Sequence, residues 1–232
     1  MKVRIKILLI LILTTQIFWA QTDINKFDGQ GKRHGVWKKY YKLNNKLRYT
    51  GQFSHGKEIG TFKYYDINND VKPIVIRVFN ANDNTCEVSF FTTKGVLESK
   101  GKMLGKKRTG KWFFFHKDGR TILSEETYKE GFLEGEVKVY YANGKITEKA
   151  HYHLGKLEGN YKRYAIRGFL YQDLTYKNGD LNGIAIYYER KNGRIKSKGL
   201  YKDNKRVGTW QHYENGKLLY ADKPALKPKK KN

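Results

Sequence analysis

Cysteine is nearly absent: the chain of 232 residues has one, Cys86. That excludes an intramolecular disulfide in any redox compartment. A lone thiol in a strand-like context reads as a small buried apolar residue rather than a nucleophile. Proline is almost as scarce, with three residues, and Pro224 and Pro228 fall near the C-terminus. A long span nearly free of proline but holding many of the 23 glycines suits strands joined by tight turns, because proline cannot donate in a sheet ladder and glycine supplies positive φ. The only long apolar run, Ile7–Leu13, is too short to span a bilayer, which takes roughly 20 residues. Gly-x-Ser-x-Gly, Walker and dinucleotide-binding patterns are missing too, and the glycines stand at hairpin rather than phosphate-loop spacing.

What the chain has in quantity is aromatic residues and basic charge. Hydrophobic residues make up 39% and aromatics 15%, too much for a disordered chain. Tyrosine dominates over leucine in the repeating part, which fits a thin layer of half-exposed side chains that keep their hydroxyls wet.

The organising feature is an internal repeat. A marker glycine recurs as Gly35, Gly60, Gly110, Gly135, Gly159, Gly183 and Gly208, about 25 residues apart, and Thr85 holds the marker position in the doubled interval. Five residues past each marker stands an aromatic: Tyr40, Tyr65, Phe90, Phe115, Tyr140, Tyr164, Tyr188 and Tyr213. A period in this range means stacked units, none of which can bury its apolar face alone. Each unit opens at the marker and reaches a turn such as Asp118-Gly119, Asn143-Gly144, Asn192-Gly193 or Asn215-Gly216, dipeptides that favour type I′ turns. It returns through a second strand and a longer turn such as Ser54–Ile59. The expected fold is all-β: an elongated open antiparallel sheet of about eight β-hairpin repeats, about sixteen strands and some 75 Å long.

A second row of aromatics, Trp37, Phe62, Trp112, Tyr161 and Trp210, lies two residues past the marker. Either both faces of the sheet carry aromatics, or a bulge brings the two rows onto one face; the first arrangement is favoured. The third unit stands apart, with the aliphatic run Val71–Phe79 around Pro73 and the turn Asn80–Thr85 in place of a basic, glycine-bearing one.

The ends differ from the array. Residues 1–20 read as a signal peptide, with Lys2, Arg4 and Lys6 before the apolar run and cleavage near Ala20, so an extracytoplasmic location is expected. Thr22–Asp28 looks like a cap, residues 21–220 are the repeat array, and 221–232 form a basic tail expected to be solvated.

Lysine and arginine number 47 against 22 acidic residues, a net charge of +25. Turns of one phase lie along one sheet edge, so Lys106, Lys107, Arg108, Lys205 and Arg206, with Lys57 and Lys156, should form a ridge able to attract anionic lipid or acidic glycan. Lysine on an exposed sheet also serves solubility alone. Nothing points to sequence-specific reading of nucleic acid. No cofactor, metal site or catalytic group is expected. His151 and His153 make an incomplete zinc set, His34 and His55 fall in turns, and Glu125, Glu126, Glu134 and Glu136 lack the cleft that paired carboxylates need.

Tyr49-Thr-Gly51-Gln-Phe53-Ser-His-Gly56-Lys57-Glu-Ile-Gly60 resembles a MORN repeat, and Lys198–Gly208 and Gly101–Gly110 follow it in part. Aromatics two past the marker are the habit of the bacterial variant, so the chain over residues 28–220 is most similar to the YwqK-like antitoxin family. The resemblance implies an elongated antiparallel sheet used for protein or membrane contacts, without chemistry of its own. The expected partner is another protein, with anionic lipid or glycan as the alternative. The family name adds a third reading, an immunity protein.

Overall fold

The structure, a computed structural model, describes residues 24–222. The expected signal peptide and the residues after Asp222 lie outside that range. The eighteen strands are β1 (Lys26–Phe27), β2 (Arg33–Tyr40), β3 (Leu47–Ser54), β4 (Lys57–Asp66), β5 (Asn69–Phe79), β6 (Thr85–Phe91), β7 (Leu97–Leu104), β8 (Lys107–Phe115), β9 (Ile122–Lys129), β10 (Phe132–Leu133), β11 (Gly135–Tyr140), β12 (Ile146–His153), β13 (Lys156–Tyr164), β14 (Leu170–Lys177), β15 (Asp180–Tyr188), β16 (Ile195–Lys202), β17 (Lys205–Glu214) and β18 (Lys217–Asp222). They form one open antiparallel sheet in hairpin order. The two strands beyond sixteen are short. β1 caps β2, and β10 is the start of β11, split from it at Glu134 and paired to the same β9. β18 runs through Ala221 and Asp222, so the array continues two residues past the expected boundary.

The marker glycine is a backbone device. Gln52 pairs with Ile59 and Thr50 with Lys63, so three residues, Gly60–Phe62, stand opposite Gly51 alone. The same two-residue excess follows the tight turn before Gly110, Gly159, Gly183 and Gly208. Positive φ makes the bulge, as in Gly60 (63°) and Gly110 (65°). An added Cβ at Gly110 would meet nothing within 4 Å, so only its backbone conformation demands glycine. Gly110→Ala is expected to cost about 1–2 kcal/mol, and Gly110→Asn less, since asparagine tolerates this region; urea denaturation of the two variants checks the order.

The third unit lacks the bulge, since β5 and β6 pair without a register shift from Val75↔Phe90 to Phe79↔Cys86. Its register consequently sits one residue later. In every unit a shift separates the fourth and fifth slots of the outgoing strand, and the fifth slot pairs with an apolar residue just past the turn, as Tyr40↔Leu47, Tyr65↔Pro73 and Phe115↔Ile122 do. In the third unit that slot belongs to Phe91, paired with Leu97. Phe90, expected there, instead lies against Trp112 at 6.2 Å between ring centroids.

The two turn types exchange places relative to expectation. Of the four supposed type I′ dipeptides, only Asn215-Gly216 has positive φ at both residues. Asp118, Asn143 and Asn192 stay out of the left-handed region because their side chains accept backbone N–H bonds two residues on, from Arg120, Lys145 and Arg194. These are wide turns. The opposite edge carries the true two-residue turns, with both φ positive at His55-Gly56, Glu130-Gly131, Leu154-Gly155, Asn178-Gly179 and Asp203-Asn204. Neighbouring tight turns are stitched together by the backbone: Gly56 N–H donates to Arg33 C=O, Gly131 to Arg108, Gly155 to Leu133 and Gly179 to Leu157.

Aromatics occupy both faces. Trp112 and Phe114 share one face, 6.2 Å apart. Phe115 lies on the other, under the Lys100 ammonium at 5.8 Å. The first face is the drier and holds the core as three clusters, around Trp37 with Phe53 and Phe62, around Trp112 with Cys86, Val88 and Met103, and around Trp210 with Leu174 and Ala185. Packing follows volume. A central row of the returning strands places Gly51 beside Trp37, Gly101 beside Trp112 and Gly199 beside Ala185, and the rings of Phe62, Trp112 and Trp210 lie directly on these glycines. Where the residue on the following strand is small the row is larger: Leu174 faces Ala185. Burying each large ring stabilises the sheet by about 1.5–3 kcal/mol, which only stacked neighbours can supply.

Candidate functional site

The sequence-predicted ridge residues do lie along one edge, the tight-turn edge, because the strands beginning there start with Lys57, Lys107, Lys156 and Lys205. Lys106 and Lys107 are exposed at the turn Gly105-Lys106, and Lys205 is exposed after Asp203-Asn204. The edge is not of one sign, however. Asp28, Asp83, Glu130, Asp180 and Asp203 occur in the same set of turns.

Arg108 and Arg206 play a different part from the lysines. The Arg108 guanidinium sits 4.5 Å over the Trp112 ring and 5.2 Å from the rings of Phe114 and Tyr128, and it donates to the Tyr128 hydroxyl at 2.9 Å. Arg206 lies 4.1 Å over Trp210, and Arg33 5.0 Å over Trp37. Each arginine roofs the tryptophan of one core cluster, an arrangement that lysine could not reproduce with the same stacking.

The Glu125–Glu126 pair separates, as neighbouring strand residues do. Glu126 accepts from Tyr128 at 2.6 Å and from Ser124 at 2.9 Å, whereas Glu125 accepts from Tyr140 at 2.9 Å. Tyr128 and Tyr140 are each pushed up to about 12, first by burial and then by these carboxylates. His151 and His153 also part company: His153 pairs with Glu134 at 3.0 Å, and His151 lines a shallow groove of about 520 Å³ with Glu136, Lys149 and Lys162. Cys86 is buried, and burial pushes its thiol up, so the reactive thiolate is disfavoured.

Two features were not visible in the sequence. The first is an open groove of about 1030 Å³ at the C-terminal end of the array, lined by Tyr171, Tyr187, Arg190, Lys196, Arg206 and Tyr220 among others. Arg190 lies 4.2 Å over the Tyr171 ring, and Tyr220 stacks on His212 at 4.5 Å. Beside it runs β18, paired to β17 on one side and exposed along its whole length, with Leu218, Leu219 and Tyr220 each more than half exposed. Composition hinted at neither, because the groove joins residues from five strands, β14 to β18.

The second feature is at the other end. Asp28, in the loop from β1 to β2, places Oδ2 2.7 Å from His55 Nδ1, and the rings of His34 and His55 are 4.9 Å apart. One ligand atom from each of the three lies within 4.8 Å of the others. Asp28 is held below its ordinary carboxylate value, first by the Lys32 backbone N–H and also by His55 and the Gln30 N–H. No family model and no curated protein matches this chain.

Proposed function

We propose that this protein is a non-enzymatic, extracytoplasmic scaffold of the YwqK-like, MORN-type kind that binds another protein through its extended sheet. The observation that carries this reading is β18, which among the described residues pairs with β17 alone and sets exposed leucines next to a groove of tyrosine and arginine. Such an edge can take an extended segment of a partner as one more strand, the backbone giving affinity and the groove selecting side chains. The groove's cations, Arg190, Lys191, Lys196 and Arg206, outnumber its acids, Glu189 and Glu214, so an acidic segment is favoured. Leu218→Glu combined with Leu219→Glu is expected to lower partner capture at least tenfold, by removing apolar contact and repelling an acidic segment, with the melting temperature little changed because both side chains already face solvent. Cross-linking with mass spectrometry on the native source checks it. Cross-links that cluster away from the C-terminal hairpins, or capture unchanged by the double substitution, would count against it.

A second reading, a binder of anionic lipid or acidic glycan, draws support from Lys106, Lys107 and Lys205 protruding from one edge. Charge-driven association must weaken with salt, so binding to phosphatidylserine vesicles is expected to drop several-fold between low and physiological ionic strength, and to drop again in the triple Lys→Ala variant. Salt-insensitive binding would remove this reading.

A further inference from the structure

The geometry points to a transition-metal site, suited to Zn²⁺, formed by Asp28, His34 and His55. This inference is independent of the scaffold reading. It joins three segments: the loop after β1, the strand β2, and the tight turn between β3 and β4. Two imidazoles and a carboxylate are a ligand set that zinc accepts with water in the fourth position.

The other repeats serve as an internal control for what these positions do without a metal. In three of them, the units of Gly135, Gly159 and Gly183, the residue before the marker glycine reaches the tight turn that follows. Glu134 accepts from the Leu154 N–H at 3.0 Å, Glu158 accepts from the Asn178 N–H at 2.7 Å, and Asn182 donates to Asp203 at 3.2 Å. There the contact caps the turn, through a backbone N–H for Glu134 and Glu158 and through the Asp203 side chain for Asn182. In the first unit the capping position is His34, which faces a second ring rather than a turn amide. A carboxylate that no other unit possesses joins them from the cap. Its side chain is only 9% exposed, while that of His55 is 67% exposed.

Asp28 is also pre-positioned. Its Oδ1 accepts from the N–H groups of Gln30 and Lys32, both at 2.9 Å, which fixes the carboxylate with Oδ2 directed at His55 Nδ1. Such outer hydrogen bonds orient metal ligands. Two of the three ligands are imidazole nitrogens, so the site should prefer Zn²⁺ over Mg²⁺ or Ca²⁺, which favour all-oxygen ligands. The fold would gain a cross-link tying the N-terminal cap to the first tight turn.

The test uses tag-free protein stripped with chelator, titrated with Zn²⁺ by calorimetry and with Co²⁺ by visible absorption. One equivalent is expected to bind, with a tetrahedral-type Co²⁺ spectrum and a raised melting temperature. His34→Ala and His55→Asn should each weaken binding at least tenfold, and His153→Ala should leave it unchanged. His55→Asn keeps the turn secure, because position 55 has φ 47°, where asparagine is better tolerated than histidine. The inference is overturned if no saturable one-equivalent binding occurs. It is equally overturned if His55→Asn binds as the parent does, or if Mg²⁺ matches Zn²⁺.

Discussion

Trp112→Ala is expected to lower the free energy of unfolding by about 3–5 kcal/mol, the range for removing a large ring from a packed site. Trp112 is fully buried, and it holds together Cys86, Val88, Met103, Phe90, Phe114 and Tyr128. It also supports Arg108, whose guanidinium would lose the face it covers. The converse change should also be costly. A Cβ added at Gly101 would stand 2.5 Å from the Trp112 ring, and the backbone there has no positive φ to blame. Gly101→Val therefore overpacks the site, and overpacking typically costs about 1–3 kcal/mol or more. The two positions must be coupled, since the sheet already contains the alternative solution in Leu174, which fills the glycine's place where the following strand offers only Ala185. Gly101→Ala should cost markedly less in a Trp112→Val background than in the parent, with a coupling energy of about 0.5–3 kcal/mol. Urea denaturation of the four-member cycle measures it, and additive costs would show that ring volume is not what the glycine row accommodates. Each core cluster holds one tryptophan, so fluorescence can report whether the ends of the array, which have one stacking neighbour instead of two, melt ahead of its middle, as nearest-neighbour stacking predicts.

These packing rules show what the sequence made legible and what it did not. The repeat, the all-β fold and the open sheet followed from spacing alone, because a glycine and an aromatic at fixed phase need no knowledge of distant contacts. The arrangement of aromatics on both faces followed as well, from the odd interval between slots two and five. Turn types did not follow. Asp118-Gly119 and Asn215-Gly216 look alike in one dimension, yet the Asp118 carboxylate is drawn to the Arg120 and Thr121 N–H groups and makes a wider turn. The offset of the third unit was hidden too, because Phe90 and Phe91 are adjacent and either satisfies an aromatic at the fifth place. Only the missing bulge before Cys86 decides between them. The Asp28, His34 and His55 cluster was out of reach for another reason: its members lie on three segments of unequal spacing, and the role of Asp28 depends on how the cap folds back. The lysine ridge was half legible. Its phase was right, but the arginines in it turn onto indole rings, and the carboxylates of the same turns break its sign.

Alkaline pH is expected to unfold the sheet steeply between pH 10 and 12. Tyr64, Tyr128 and Tyr140 are each pushed up to about 12, in every case first by burial and next by a carboxylate, Glu58, Glu126 or Glu125. Tyr161 and Tyr187 are also raised, by burial and by hydrogen bonds involving Glu148 and Tyr201. Tyr201 works in the opposite direction: its burial is outweighed by the bond from Tyr187 and by Arg206. For a raised phenol the folded chain keeps its proton while the unfolded chain gives it up above pH 10. The unfolded state then binds fewer protons, so stability falls as pH rises. The contribution is complete below pH 10 and gone once pH passes the folded value. Each proton sets a limiting slope of about 1.4 kcal/mol per pH unit, reduced here because the hydroxyls reach solvent, but several tyrosines act together. Lys162, raised by its bond to Asp173 at 2.6 Å, and Lys138, raised by Glu136, add a loss of the same sign. Urea midpoints at pH 8, 10, 11 and 12, with phenolate absorbance followed in parallel, should show the fall tracking tyrosine ionisation. Tyr128→Phe should flatten it, as phenylalanine has no proton to lose, and Glu126→Gln should move Tyr128 ionisation to lower pH. A midpoint that stays level from pH 9 to 12 would mean these hydroxyls are as free in the folded sheet as in the unfolded chain.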